Sequence, residues 1–352
     1  MRDKLIDSCI NLSVKIRIEA VGTYYYIKTL RRMKVESMKI LFFIVNKAAS
    51  NGKSLKVWEK LVRELDKQNV NYRSFYTKSP NHATEIAKQI ATMYEDKIEG
   101  IIVVGGDGTM NEVVNGLAKH PAVRVGFIPA GTGNDFSRGF NIPNSPIAAL
   151  KLILRKQGRP IPQFDIGKAT IGTSSQRKLF MNSLGVGFDA EVSKLTNQSL
   201  MKKYLSVVRL GSLVYVIALL KLLFSFVPTS VTLSIDGTIH RYQNVWFVTV
   251  SNQSFYGGGM KISPNARPND GLLNITVIHN LSKLKLLLVF GTVFFGKHVG
   301  LKEVSVHTGR EIKIDSEKPF LVHVDGEQVG HTPVVVSVDK SRISIFSLPH
   351  KF

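Results

Sequence analysis

Two glycine-rich stretches hold the residues best suited to chemistry, Gly105-Gly106-Asp107-Gly108-Thr109 and Pro129-Ala130-Gly131-Thr132-Gly133-Asn134-Asp135. Glycines let backbone N–H groups approach phosphate oxygens, and a helix starting in such a loop adds partial positive charge. Asp107 cannot attract phosphate itself. Beside a phosphate cradle, a carboxylate makes sense where it holds a magnesium ion or orients a metal-bound water. The simpler alternative is a tight turn whose Asp caps the helix. In the second loop Thr132 and Asn134 would supply hydrogen bonds to a nucleotide, while Asp135 either caps the next helix or faces an acceptor.

Three further places carry weaker signals. Glu327, just after the turn Asp325-Gly326, can project into a cleft and take the proton of an attacking hydroxyl, although a solvated hairpin glutamate fits the same pattern. Asp270 lies in Asn269-Asp270-Gly271, which is also an ordinary turn sequence. Lys47 to Ser54 (KAASNGKS) resembles a phosphate-binding P-loop but has Lys47 where the first glycine belongs, which removes the tight turn that starts the cradle. The histidines form no HExxH or other close metal-binding constellation, and His298 reads as structural or substrate-facing.

Positioning these residues requires strands that empty into the loops. Met38 to Val45 (MKILFFIV), Ile101 to Val104 and Val123 to Ile128 read as buried strands. Between them, Leu55, Trp58, Leu61, Val62 and Leu65 recur at helical spacing. Asn81 is a candidate cap for a helix with Ala83, Ile86, Ala87 and Ile90 on one face, and Met110, Val113, Val114 and Leu117 mark the helix after the first glycine loop. Ser145 and Pro146 open another helix, as N-cap and first helical residue. Alternating strands and helices predict a parallel α/β sheet with ligand loops at the carboxyl ends of its strands. From about Phe164 the pattern changes to short β-branched and aromatic runs at Val231 to Ile235, Val245 to Ser251, Leu272 to His279, Phe320 to Val324 and Val334 to Val338. With the hairpin signals Asp236-Gly237 and Asp325-Gly326, this half reads as antiparallel β.

The chain has 352 residues, enough for two domains, and its 47 Lys+Arg against 26 Asp+Glu give +21. Apolar residues at 44% exclude wholesale disorder, and one cysteine, Cys9, excludes a disulfide framework. Such charge predicts an anionic partner: nucleic acid, a nucleotide or an acidic membrane surface. Leu205 to Val227 carries Arg209 and Lys221, and Leu284 to Phe295 is short and interrupted by Lys285, so neither reads as a membrane span. Both are expected to be buried helices, with an interfacial helix as the alternative. Residues 1–37 carry +4 and no signal-peptide pattern, and read as an accessory basic leader, disordered or preceding a start at Met38.

The run IVVGGDGTMNEVVNG followed by IPAGTGNDFSRGF resembles the catalytic domain of diacylglycerol kinases, and most closely the bacterial diacylglycerol kinase and YegS-like soluble lipid kinase family. Supporting pieces are NSLGVGFDA (Asn182 to Ala190), SPNARPNDGLL (Ser263 to Leu273), Gly296-Lys297-His298 and VDGE (Val324 to Glu327), so the resemblance runs from Met38 to Pro349. It implies an α/β fold of two domains. A nucleotide-binding domain with an NAD kinase-like parallel sheet would span 38–163 and be rejoined by 341–352, and a β-rich antiparallel sandwich over 164–340 would hold the lipid. The cofactors implied are ATP and Mg2+. By position, Asn46, Thr77, the loop from Gly105 and Gly106 through Asp107, Gly108, Thr109, Met110 and Asn111 to Glu112, and Thr132 match ATP-contacting residues. Asp107 matches the acidic residue that organises catalytic magnesium. Asp270 matches a structural magnesium ligand assisted by carbonyls near Arg267 and Leu272, and Glu327 matches the general base. Asn46-Lys47-Ala48-Ala49-Ser50 departs from the family's Asn-Pro-x-Ser-Gly.

The expected function is therefore transfer of the γ-phosphate of Mg-ATP to a lipid hydroxyl, most readily that of diacylglycerol, by a cytoplasmic protein peripheral to the inner face of an anionic membrane. Homodimer formation stays open. The alternatives are a kinase of phosphatidylglycerol, a sphingoid, a polyprenol or NAD, and a nucleotide-binding relic. A nucleic-acid-binding protein is a further class, disfavoured because the basic residues are spread along the chain and no nucleic-acid motif is present.

Overall fold

The computed structural model describes residues 39–172, 177–198, 220 and 222–349. The leader, and residues 205–219 and 221 of the first apolar segment, lie outside the described residues.

The amino-terminal half alternates as expected: β1 (Ile40–Val45), α1 (Lys53–Lys67), β2 (Tyr72–Tyr76), α2 (His82–Met93), β3 (Ile98–Gly105), α3 (Asp107–Gly116), β4 (Arg124–Pro129), α4 (Asp135–Gly139) and α5 (Pro146–Lys156). Its strands pair in parallel in the order β2-β1-β3-β4. All six residues of β1 are buried, as a strand covered by helices on both faces demands. This order makes β1, β3 and β4 neighbours, so the loops leaving their carboxyl ends open side by side.

Beyond α5 the chain is β-rich: β5 (Gln163–Ile171), β6 (Arg177–Phe180), β7 (Ser183–Gly187), then α6 (Phe188–Gln198), β8 (Thr229–Ile235), β9 (Thr238–Ser251) and β10 (Leu273–His279). Helix α7 (Lys283–Val289) precedes β11 (Val304–Gly309), β12 (Glu311–Ser316), β13 (Leu321–Val324), β14 (Glu327–His331) and β15 (Val334–Ile345). The pairings here are antiparallel, and Asp236-Gly237 and Asp325-Gly326 make the expected tight turns, each with both residues at positive φ. The end of β15 pairs in parallel with β4 (Ser344 with Arg124, Ile345 with Val125), so one sheet runs through both halves. One apolar cluster fills the space under the parallel strands, and a second, built from Leu184, Val248, Ile275, Val322 and Val336 among others, fills the β-rich half.

Two helix starts differ in detail from the sequence reading. Asn81 and Ser145 occupy the N-cap positions, but neither side chain makes a capping bond. Asn81 sits in the left-handed region at φ 65°, and the Ala83 N–H is satisfied instead by the Glu112 carboxylate at 3.0 Å. Leu284 to Phe295 is not a buried helix. It forms α7 and a following 3-10 turn whose outward side chains are exposed, while only Leu286 on the opposite face is buried.

Candidate active site

Three loops meet at the carboxyl ends of β1, β3 and β4. Asn46 donates from Nδ2 to the Thr109 hydroxyl at 2.9 Å, tying the first loop to the second. Ser50 donates to the Ala130 carbonyl at 2.8 Å, tying the first to the third. Gly106 and Gly131 lie back to back: a Cβ on Gly131 would stand 2.6 Å from the Gly106 Cα, so a side chain there would force the loops apart. The altered motif after Asn46 turns through Ser50, Asn51 and Gly52, all left-handed, before α1 begins at Lys53. Lys47, which takes the place of the P-loop glycine, lies over the Tyr76 ring at 3.9 Å. Thr77 follows β2, and its N–H donates to Val45 at 3.1 Å.

Asp107 is the first residue of α3, yet it caps a different helix. Its carboxylate accepts from the backbone N–H groups of Phe136 (2.8 Å) and Asp135 (3.2 Å), the start of α4. Asp107 therefore does not cap its own helix, as the simpler alternative expected; its carboxylate instead fixes the second glycine loop against the first. Burial, and then the Asp135 charge, push Asp107 up to about 6, against the pull of the two N–H donors. Asp135 is buried, accepts from Arg138 (2.8 Å) and from the Gly258 N–H (2.7 Å), and is likewise pushed up by burial. Asn134 is left-handed, and its amide oxygen is buried without a partner.

Not every expected contact residue is turned toward the loops. Met110 is in the core. Asn111 is buried and donates to Asp325 (2.8 Å) and to the Leu179 carbonyl (3.1 Å). The Glu112 carboxylate is taken by the start of α2. Gly105 packs against the Thr109 side chain, whereas Gly108 and Thr132 are exposed, with open space where a Gly108 Cβ would be.

Glu327 is half-buried at the start of β14. Burial raises its carboxyl, Glu112 and Asp325 raise it further, and Lys178 pulls it down. The turn that presents it is anchored by Asp325, a residue the sequence marked only as a turn former. The Asp325 carboxylate accepts from Asn111 and from three consecutive backbone N–H groups, Met181 (2.9 Å), Asn182 (3.0 Å) and Ser183 (2.9 Å). Asp325 thus joins α3 to the start of β7, and its charge reaches both Asp107 and Glu327. Its partners are distant in sequence, so only the aspartate-glycine pair was visible.

Asp270 stands on an exposed turn, accepting from the Leu272 N–H at 2.9 Å. Buried Asp165, which sequence reading passed over, accepts from the Gly271 N–H at 2.7 Å, and the carboxyl of Asp270 is raised by burial and by the Asp165 charge. Among the described residues, no cluster of three or more His, Cys, Asp or Glu could hold a metal ion. The carboxylates nonetheless suit a hard divalent cation. The Asp135 charge raises the Asp107 carboxyl, and the Asp165 charge raises that of Asp270, the imbalance that a bound cation would relieve.

Neutralising Asp107 is expected to stabilise the metal-free protein. A carboxyl raised in the folded state contributes stability that is fully present below its unfolded value and lost as pH rises through about 6. Asp107→Asn keeps an acceptor for the Phe136 N–H and removes that loss, worth on the order of 1–3 kcal/mol at pH 7.5. Thermal unfolding without divalent ions should therefore shift upward by a few degrees. An unchanged or lowered midpoint would contradict the strained-charge account.

Comparison with known proteins gives this arrangement its class. Residues 40–168 match the diacylglycerol kinase catalytic domain, and residues 182–347 match the YegS C-terminal NAD kinase beta sandwich-like domain. A Bacillus subtilis protein named "Putative lipid kinase YtlR" is 36% identical over 306 residues, 86% of this chain and 98% of the relative. A Mycobacterium tuberculosis diacylglycerol kinase is 32% identical over 254 residues, covering 72% of this chain and 78% of the relative. The crystal structure of a "putative diacylglycerol kinase" from Bacillus anthracis str. Sterne superposes with a TM-score of 0.71 at 27% identity, covering 88% of this chain and 95% of that one. The fold and loops are those of a phosphotransferase. The chain belongs to the diacylglycerol kinase family and is a lipid kinase.

Proposed function

We propose that this lipid kinase transfers the γ-phosphate of Mg-ATP to the hydroxyl of diacylglycerol, giving phosphatidic acid. The observation that supports this reading best is the meeting of the GGDGT and GTGND loops through the Asp107 carboxylate, with Asp325 linking the same helix to the turn that carries Glu327. Phosphoryl transfer asks the protein mainly to position the reactants and to balance charge. In this reading the N–H groups at the start of α3, residues 106–109, and the side chains of Asn46, Thr77, Thr132 and Asn134 bind the nucleotide. Met110, Asn111 and Glu112 contribute by fixing the first turn of α3, because their side chains are engaged elsewhere and the Met110 N–H closes that turn on the Gly106 carbonyl at 3.2 Å.

Asp107 would hold the magnesium ion, which supplies charge neutralisation on the transferring phosphate. Asp270, with the carbonyls of Arg267 and Leu272, would hold a second, structural magnesium. Glu327, raised by burial, is suited to accept the hydroxyl proton near neutral pH. The enzyme works at the inner face of an anionic membrane without spanning it, and no helix among the described residues is long and apolar enough to cross.

The test is an acceptor panel of diacylglycerol, phosphatidylglycerol, ceramide, a polyprenol and NAD, each in mixed micelles with Mg-ATP labelled in the γ-phosphate. Diacylglycerol is expected to be labelled at least tenfold faster than the others. Preferential labelling of NAD or of another lipid would overturn the acceptor assignment.

A further inference from the structure

We propose that the outward face of α7 and its 3-10 extension, together with the segment around Phe224, is the surface by which this protein docks on an anionic phospholipid bilayer. Among the described residues 15 large apolar side chains are exposed, and eight of these fall within 220–227 and 284–295. Leu284 (68% exposed) and Leu288 (73%) stand one helical turn apart on α7, with Leu287 beside them, and Phe295 (75%) continues the face. Phe224 is 74% exposed, and its carbonyl accepts from the Lys283 ammonium at 2.8 Å, so the two segments abut. Both are seated on one core, through Leu223 and Leu286, so the exposed side chains project from a fixed base. An apolar concentration of this kind on a folded surface marks an interaction site.

The charges identify the occupant. From Leu281 to Lys302 the sequence carries Lys283, Lys285, Lys297 and Lys302 and no acidic residue. Glu303, the first carboxylate beyond, is held by Lys285 at 2.6 Å. Exposed apolar side chains in a segment whose charges are lysines match a membrane interface, where the acyl boundary takes the former and anionic headgroups attract those, such as Lys297 and Lys302, that no carboxylate among the described residues holds in an ion pair. A second copy of the chain fits less well, because a two-fold interface would set this lysine-rich face against itself.

One loop connects the segment to the site. The Lys261 N–H donates to the Val293 carbonyl at 3.0 Å, and in the same loop the Gly258 N–H donates to Asp135 at 2.7 Å. The turn that carries this face is thus bonded, through Val293 on its inner side, to the loop that touches Asp135.

The inference rests on the lipid-kinase reading, and its test separates the two. Full-length wild type and Leu288→Glu/Phe295→Glu would be floated with phosphatidylcholine vesicles with and without about one-third phosphatidylglycerol, and assayed on dioleoylglycerol in those vesicles and on soluble dihexanoylglycerol. Wild type is expected to bind the anionic vesicles. The variant, with an unchanged melting temperature, should bind them at least tenfold less. It should lose a similar factor on dioleoylglycerol and stay within twofold on dihexanoylglycerol. If the double substitution lowers the melting temperature, Leu288→Ser alone, on an exposed position, gives the same comparison. Equal vesicle binding by wild type and a folded variant would overturn the proposal. So would a wild-type dimer that the variant dissociates while vesicle binding persists, since the face would then belong to a second copy. Vesicle binding that depends on Leu288 and Phe295, with neither glycerolipid phosphorylated, would support the docking face and refute the acceptor reading instead.

Discussion

Glu327→Gln should reduce kcat by a factor of roughly 10²–10⁴, the usual contribution of a positioned general base, and leave nucleotide affinity within about twofold. Glutamine preserves the shape at the start of β14 but cannot take a proton. Because burial raises the Glu327 carboxyl, the wild-type rate should climb with pH over a limb lying above the ordinary value of 4.5, as the base becomes free to accept. The sign is that of a base: protonated and inactive on the acid side, ionised and active above. The variant should lack that limb. A pH–rate profile of both proteins, with nucleotide binding measured separately, checks both points. A variant that keeps the wild-type rate would remove Glu327 from the chemistry, and loss of nucleotide affinity would reassign it to binding.

Asp325→Ala should have the largest effect on stability of any single substitution near the site. It leaves the N–H groups of Met181, Asn182 and Ser183 and the Asn111 amide without their acceptor. Each abandoned buried donor costs on the order of 1–3 kcal/mol, so a total above about 4 kcal/mol is expected even after partial relaxation. Asp325→Asn retains one acceptor oxygen and should fall between alanine and wild type. Urea unfolding of the three proteins orders them directly, and equal midpoints would show that the carboxylate does not join α3 to β7. Gly326 adds support to the same turn, its N–H donating to His323 Nδ1 at 3.2 Å. The other nitrogen of His323 faces buried Asp189 at 3.4 Å.

The parallel half was readable because strands buried on both faces are written as apolar runs. ILFFIV and the run ending at Gly105 admit little else, and the second empties into its glycine loop as expected. The aspartate-glycine hairpins were readable because few residues besides these take positive φ at both turn positions. Strand β2, YRSFY, lies at the edge of the sheet and carries polar residues, so its pattern did not stand out. Strands β5 to β7 hid for a related reason, since small and polar residues there occupy places fixed by close approach. A Cβ on Gly185 would meet Asp189 and His323 at 2.1 and 2.3 Å.

Within the site, the chemistry-bearing residue types and their order were legible, but their partners were not. Nothing local to Asp107 indicates that it caps α4, nor does anything local to Glu112 indicate that it caps α2. Both bonds depend on where β3 and β4 place their following loops. The apolar run from Leu284 to Phe295 illustrates the converse limit. Hydrophobicity there predicts something to be covered, and the sequence cannot say whether the cover is the protein's own core or an outside surface.

The most direct measurement is the stoichiometry between ADP released from Mg-ATP and phosphate acquired by diacylglycerol in mixed micelles, followed in one reaction by wild-type protein. Transfer from nucleotide to lipid hydroxyl predicts one phosphatidic acid for each ADP, with both products abolished by removing magnesium. ADP formed without lipid phosphate, or neither product from folded protein that binds ATP, would contradict it.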